Sequence, residues 1–531
     1  MPNSQKLIRP TRTLLAAAIL AAFAAATPAQ ERPEYTNPVI AGDYPDPSVI
    51  RVGRDYWATA TTSEWAPEFP ILHSRDLVNW RTVGSVFRKR PAWSVGNYWA
   101  PEIAEYRGRY FVYYTGRKKD GPLCVAVASA AKPGGPYTDH GPLLCQEAGS
   151  IDAFPVTDEN GTRYLVWKED GNSRKLPTPL WAQKLSRDGT KLVGEMTEIL
   201  RNDAPWEAQL IEGPYIMRRD GWFYMFYSGN ACCGRECNYA LGVARSRKLL
   251  GPWEKNPANP ILKGNDDWKC PGHGSVVTSR GDRDYLLYHA YHPEDFVYVG
   301  RQALLDEVSW EKDGWPMIND GKGPRKRADA PVSVAERNEE YAFSDEFTRP
   351  RLAPGWVWPQ ANEPVVRIQA ARGGRLLLAP ASGRGDDPVG AIVGRATTVG
   401  DYVATTVVDT RGMREGALAG LAVVGDSENA IGVAVGGGKV RLWRREKNEH
   451  KIVETEDAPK SPLVYIRMTA RDGEDFQFAI SGDGKDWDDV GGELEGKYLP
   501  PWDRGVRVAL TAGGTAGAVG KFDWLRIEPA R

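Results

Sequence analysis

Neither sign of charge is in excess in this chain of 531 residues: 68 Lys and Arg stand against 69 Asp and Glu, a formal net charge of -1. That balance gives no basis for a nucleic-acid or polyanion surface and favours a neutral substrate. Long apolar runs are missing beyond the first 29 residues, so nothing later reads as a membrane span. Helical periodicity is missing as well. The intervals between apolar strands are turns rich in Gly, Pro and Asp, whereas a doubly wound α/β fold needs amphipathic helices of about ten residues or more there. Cysteine is scarce, with six at positions 124, 145, 232, 233, 237 and 270. Adjacent Cys232 and Cys233 are awkward tetrahedral ligands and no second spaced pair exists, which leaves a metal cluster there as the minor alternative to disulfides. His289 and His292 lack the spacing and the neighbouring acid of a zinc motif.

The N-terminus carries Lys6, Arg9 and Arg12, then a small-residue apolar run over 14–26, then Thr27-Pro28-Ala29. This order is that of a signal peptide spanning 1–29, and it predicts export to the periplasm or the exterior. An oxidising compartment permits disulfides. Cys124 with Cys145 and a pairing among the later four are the options, and the connectivity stays open. Aromatic usage is weighted to 19 Trp and 22 Tyr over 13 Phe, rings that pack a β core and also stack on sugar faces.

From about residue 40 to 320 one pattern returns five times. A polar residue with a small or Pro neighbour opens a short apolar strand, a turn follows, and an aromatic-rich strand comes next. The openings hold Asp46, Glu102, Asp152, Glu212 and His273, spaced by 56, 50, 60 and 61 residues. The turns contain Gly53, Gly108, Gly161, Gly221 and Gly281, which accept left-handed backbone angles. A third strand recurs after each hairpin. The pattern predicts an all-β protein, a five-bladed β-propeller over 30–325, with an unclosed sandwich as the runner-up.

In a propeller the five openings converge at one end of the central channel. Asp before Pro also caps turns, but four converging acids repel one another and lose hydration, an arrangement that calls for a purpose. Hydrolysis of a glycosidic bond with inversion needs one carboxylic acid to protonate the leaving oxygen and one carboxylate to activate water, roughly 6.5–9.5 Å apart. A third carboxylate raises the pKa of the acid.

Tyr35-Thr36-Asn37-Pro38-Val39, the run from Gly42 through Asp46 to Val49, Trp99-Ala100-Pro101-Glu102, Ser150-Ile151-Asp152-Ala153, Glu212-Gly213-Pro214-Tyr215 and Gly272-His273-Gly274-Ser275 together resemble glycoside hydrolase family 43 over about 35–325. The resemblance implies an inverting glycosidase acting on terminal or side-chain pentoses of plant-type polysaccharides or oligosaccharides, as β-xylosidase or α-L-arabinofuranosidase. It implies Asp46 as general base, Glu212 as general acid, and Asp152 as an ionised neighbour that tunes and positions the acid. It implies no cofactor for the chemistry, with a structural calcium near His273 set against a simple channel-filling role, and Arg301 as a substrate contact set against a salt bridge. Trp65, Trp99, Glu102, Phe154, Trp206 and Glu207 complete the candidate sugar-binding set, Glu207 with a loop salt bridge as its equal alternative. An endo-arabinanase or other furanosidase, and a noncatalytic glycan-binding propeller, are the competing functions. No nucleic-acid or membrane partner is expected, and protein partners are left open.

A charged stretch, 326–340, reads as a linker. Beyond it, over 341–531, runs such as Tyr402-Val403-Ala404-Thr405 and Val506-Arg507-Val508-Ala509 predict a β-sandwich, similar to the concanavalin-like domain appended to some members of that family. Its roles are glycan binding, or packing on the propeller with a loop lent to the pocket rim.

Overall fold

The computed structural model describes Met1 and residues 33–332, 341–371 and 373–530. The expected signal peptide lies outside these residues. No helix among them is long and apolar enough to cross a membrane.

Residues 48–318 form five four-stranded antiparallel sheets, four of them built from strands consecutive in sequence and the first interrupted only by Trp65–Ala66 between its second and third strands. Their innermost strands are Ser48–Val52, Ser94–Tyr106, Ser150–Thr157, Ile211–Arg219 and Lys269–Thr278, which define blades I to V. The reason for radial repetition lies in burial. Second and third strands are apolar on both faces, as in Leu123–Ala130 and Asp284–Tyr291, where all residues are buried. A strand buried on both faces needs a neighbour on each side. Five hydrophobic clusters supply this, one at each seam: blades I–II around Phe69 and Tyr114, II–III around Tyr113 and Trp167, III–IV around Val166 and Met225, IV–V around Phe226 and Tyr288, and V–I around Leu287 and Tyr56. The segment Glu34–Thr36 pairs with Arg327–Asp329, inside the stretch expected as linker.

Four of the five hairpin turns place the expected glycine at positive φ, namely Gly53, Gly108, Gly161 and Gly221. Blade V differs, because Asp282 takes the left-handed position (φ 54°) in place of Gly281. Asp tolerates that region through local hydrogen bonding, so the turn keeps its shape with another residue.

The C-terminal region is a sandwich of a nine-stranded and a six-stranded sheet around one core. Leu463–Arg471 alternates strictly between buried and less buried positions, as a strand with one face in a core must. The sandwich is docked on blade I. Trp65–Ala66 pairs with Trp358–Pro359, and the Trp65 indole packs among Val389, Ile392, Val424 and Trp443 of the sandwich.

Candidate active site

Every blade opens with one residue in the left-handed region: Asp46 (φ 53°), Ala100 (φ 42°), Asp152 (φ 58°), Gly213 (φ 59°) and His273 (φ 41°). In blades II to V the register between first and second strands slips at this point, the signature of a β-bulge. The bulge re-aims a side chain at the channel mouth, so these five positions are the true equivalents. Glu212 stands one residue before its bulge, as Trp99 and Ile151 do, and all three line one cavity of about 580 Å³ together with Asp46, Asp152 and His273. Glu102 stands two residues after its bulge, level with Ser48, Phe154 and Tyr215.

That offset corrects the expected site. Glu102 and Phe154 do not line the cavity. Phe154 is buried edge-on against Tyr215 at 4.9 Å, and Glu102 has its carboxyl pushed up to about 8 by burial, with a Ser48 hydrogen bond pulling weakly the other way. Trp65 is 2% exposed and fills the propeller–sandwich seam. Trp206 lies against the backbone of Gly229 and Gly242, where any Cβ would meet its ring within 3.0 Å. Glu207 is fully buried, accepting from the Tyr227 hydroxyl at 2.7 Å and pairing with Lys255 at 2.7 Å. Its loop salt bridge is what the fold uses.

The retained residues form a connected polar floor. Asp46 accepts from the Thr61 hydroxyl (2.6 Å) and from Arg301 Nη1 (3.1 Å). Burial alone would raise its pKa, but Arg301 and next His273 outweigh it and hold the carboxyl well below the usual range. The Asp46 amide donates to His289 Nδ1 at 3.0 Å. Burial lowers His289 to about 4, so this imidazole is neutral and anchors the Asp46 backbone. Arg301, 4% exposed, also donates to the Asp503 carbonyl at 2.9 Å and so joins Asp46 to the sandwich.

Asp152 accepts from the Gly213 amide at 2.9 Å. Only glycine fits at 213: its φ is positive and a Cβ would sit 3.0 Å from the His273 ring. That ring therefore lies flat on the Gly213 backbone, with Nδ1 at 3.6 Å from Asp46 and 3.9 Å from Asp152. Glu212 accepts from Lys168 Nζ at 2.6 Å and from the Tyr239 hydroxyl at 2.9 Å, and Lys168 also pairs with Asp170 at 2.9 Å. Burial, and next the charge of Glu212, raise Asp152 to about 7 against the pull of His273. For Glu212 burial is outweighed by Lys168, and its pKa falls. The two buried carboxyls are thus pushed in opposite directions, Asp152 up and Glu212 down.

The sandwich completes the cavity. Trp502, 60% exposed, and Asp503 line it, and Trp502 meets Trp99 edge-to-face at 5.8 Å. Lys168 carried a legible signal, a lone cation continuing the apolar run Tyr164 to Trp167. Trp502 carried none, because its place depends on how the two folds dock.

His273 has no set of direct protein ligands around it, among the described residues, for the expected calcium. Among the described residues no three His, Cys, Asp or Glu side chains are grouped to hold a metal ion. The Asp46 oxygen facing His273 is already held by the Arg301 cation, and calcium takes about 6–8 oxygen ligands.

The profile of glycosyl hydrolases family 43 matches residues 35–316, and that of a β-xylosidase C-terminal concanavalin A-like domain matches 344–528. The chain belongs to glycosyl hydrolases family 43. It is a glycoside hydrolase, and the family's chemistry needs no cofactor. A xylosidase/arabinosidase 43B of Humicola insolens is 27% identical over 88% of this chain and 90% of its own. A non-reducing end α-L-arabinofuranosidase of Bacteroides ovatus is 24% identical over 82% of this chain and 83% of its own. The solved structure of BlXynB from Bacillus licheniformis, 25% identical, overlays with a TM-score of 0.81 and covers 94% of this chain and 100% of that one.

Proposed function

We propose that this family-43 enzyme is an exo-acting, inverting pentosidase, releasing terminal xylose or arabinose from plant hemicellulose. The observation that carries the reading is the convergence on one cavity of a carboxylate held ionised, Asp46, and two buried carboxyls on neighbouring blades whose pKa values are pushed apart, Asp152 and Glu212. Inverting hydrolysis needs an ionised base and a proton donor at once.

In the reaction a water attacks the anomeric carbon and gives its proton to Asp46. The bond to the leaving oxygen breaks, and that oxygen takes a proton from Glu212. For Glu212 to hold that proton, the bound sugar must deepen its burial, which raises the carboxyl against the pull of Lys168. Asp152, then ionised, is the neighbour that keeps the acid protonated by like charge. Arg301 and Thr61 aim Asp46, and Lys168 and Tyr239 aim Glu212.

Exo action is supported by the wall that Trp502 and Asp503 build beside the cavity, since a sandwich loop at the mouth turns a through-groove into a pocket. The xylosidase and arabinosidase names of the relatives support the pentose. Alanine at Glu212, assayed on xylo- and arabino-oligosaccharides, tests the reading. Unchanged release of monosaccharide by a folded variant removes Glu212 as the acid, and release of internal fragments by the native protein removes the exo assignment.

A further inference from the structure

Cys232 and Cys233 are bonded to each other, and both line the catalytic cavity. They sit in the loop that joins the second and third strands of blade IV, Trp222–Gly229 and Ala240–Ser246. That loop is held from several sides. Cys237–Cys270 ties it to the inner strand of blade V. Arg235 donates to the Tyr298 hydroxyl at 2.6 Å and to the Lys497 carbonyl of the sandwich at 3.3 Å, and the Gly234 amide donates to the Tyr291 hydroxyl at 3.3 Å.

A bond between neighbours does not stabilise the fold in the usual way. Disulfides act chiefly by closing a loop of the unfolded chain, and their effect grows with loop length. A sequence separation of 1 closes almost none, whereas Cys237–Cys270, separated by 33, restrains the loop by itself. What the adjacent bond changes is the surface. Two thiols become one compact face of sulfur and methylene, polarisable and without a hydrogen-bond donor.

That face stands on the acid's side of the cavity. Within blade IV, Ile211 and Glu212 pair with Gly229 and Ser228, so the loop leaves the sheet directly after the register partners of the acid. Asp46, the base, belongs to blade I. In inverting hydrolysis the leaving sugar lies by the acid and the water by the base. We propose that the Cys232–Cys233 disulfide is the platform on which the carbon face of the leaving sugar rests, a specificity-determining element for glycan leaving groups. The inference rests on the assignment of Glu212 as acid.

The test compares a leaving group that has a ring with one that has none. In Cys232→Ala/Cys233→Ala, kcat/KM on xylobiose falls about tenfold, chiefly through KM, the scale of a lost apolar pocket contact. On β-D-xylosyl fluoride, whose leaving atom touches no platform, it stays within about twofold. Equal losses on both substrates, or none on xylobiose, overturn the proposal. Failure of the Glu212 assignment shows separately, as xylobiose turnover that survives Glu212→Ala. Independently of how the cysteine variant folds, a crystal of Glu212→Gln with xylotriose places a leaving-side ring carbon within about 4.5 Å of a Cys232 or Cys233 Sγ. A ring resting only on Trp99 or Trp502 contradicts it.

Discussion

Lys168 donates a 2.6 Å hydrogen bond to Glu212 from a position only 1% exposed, so the proposed acid is paired with a buried cation. The cation lowers the pKa of both Glu212 and Asp152, so the proton leaves this side of the cavity at a lower pH than burial alone would set. The proposed mechanism requires that proton. Activity is therefore expected to fall as pH rises through the titration of these carboxyls, with Asp152 at about 7. Lys168→Met removes the cation, raises the pair and moves the alkaline limb of kcat/KM upward by about one unit or more. A limb that stays, or moves down, removes Lys168 from the control of the acid.

Arg301 plays the matching part for the base. Its guanidinium, 3.1 Å from Asp46, is the main cause that keeps that carboxyl ionised against burial. The base works only when ionised, so activity is lost as pH falls through its pKa, and in the native protein that lies below any working pH. Arg301→Met lets burial lift Asp46, and a new acid limb enters the profile above about pH 4. At its optimum the variant loses about 10²-fold or more in kcat. The pH–rate profile of kcat/KM reads both changes.

Trp65 and Trp502 separate stability from catalysis. Trp65→Ala empties the propeller–sandwich seam and costs about 3–5 kcal/mol, read as a lower melting temperature, while KM in the folded fraction changes little. A sugar-contacting Trp65 would show the reverse.

Trp502→Ala removes a side chain that is 60% exposed, so stability holds. Its kcat/KM on xylo-oligosaccharides falls about tenfold as the sandwich wall of the pocket opens. Unaltered kinetics would deny the sandwich any part in the site.

Much of this was legible from residues alone. The five hairpins follow from the alternation of turn glycines with aromatic strands, and the convergence of Asp46, Asp152 and Glu212 on one cavity from their place at the strand openings. The register among the openings was not legible, because a β-bulge adds one residue without leaving a composition signal. Aligning Glu102 with Asp46 placed it at the mouth, while the bulge at Ala100 sets it two residues further along. Trp65, Trp206 and Glu207 were misplaced for another reason. A Trp or Glu next to a site has the same sequence appearance whether it faces sugar, a seam or a lysine, and only packing decides. Lys168 could have been picked out as a lone cation at the end of an apolar run, but its partner Glu212 lies on the next blade, and Trp502 reaches the cavity through the docking of two folds, which no local pattern encodes.

In the proposed mechanism Asp46 activates water on the face opposite the oxygen that Glu212 protonates. Proton NMR of the first anomer released from a β-xylo-oligosaccharide tests this. α-Xylose is expected first, with the β form growing in only by mutarotation. β-Xylose as the first product would mean a covalent intermediate and would contradict the roles given to both residues.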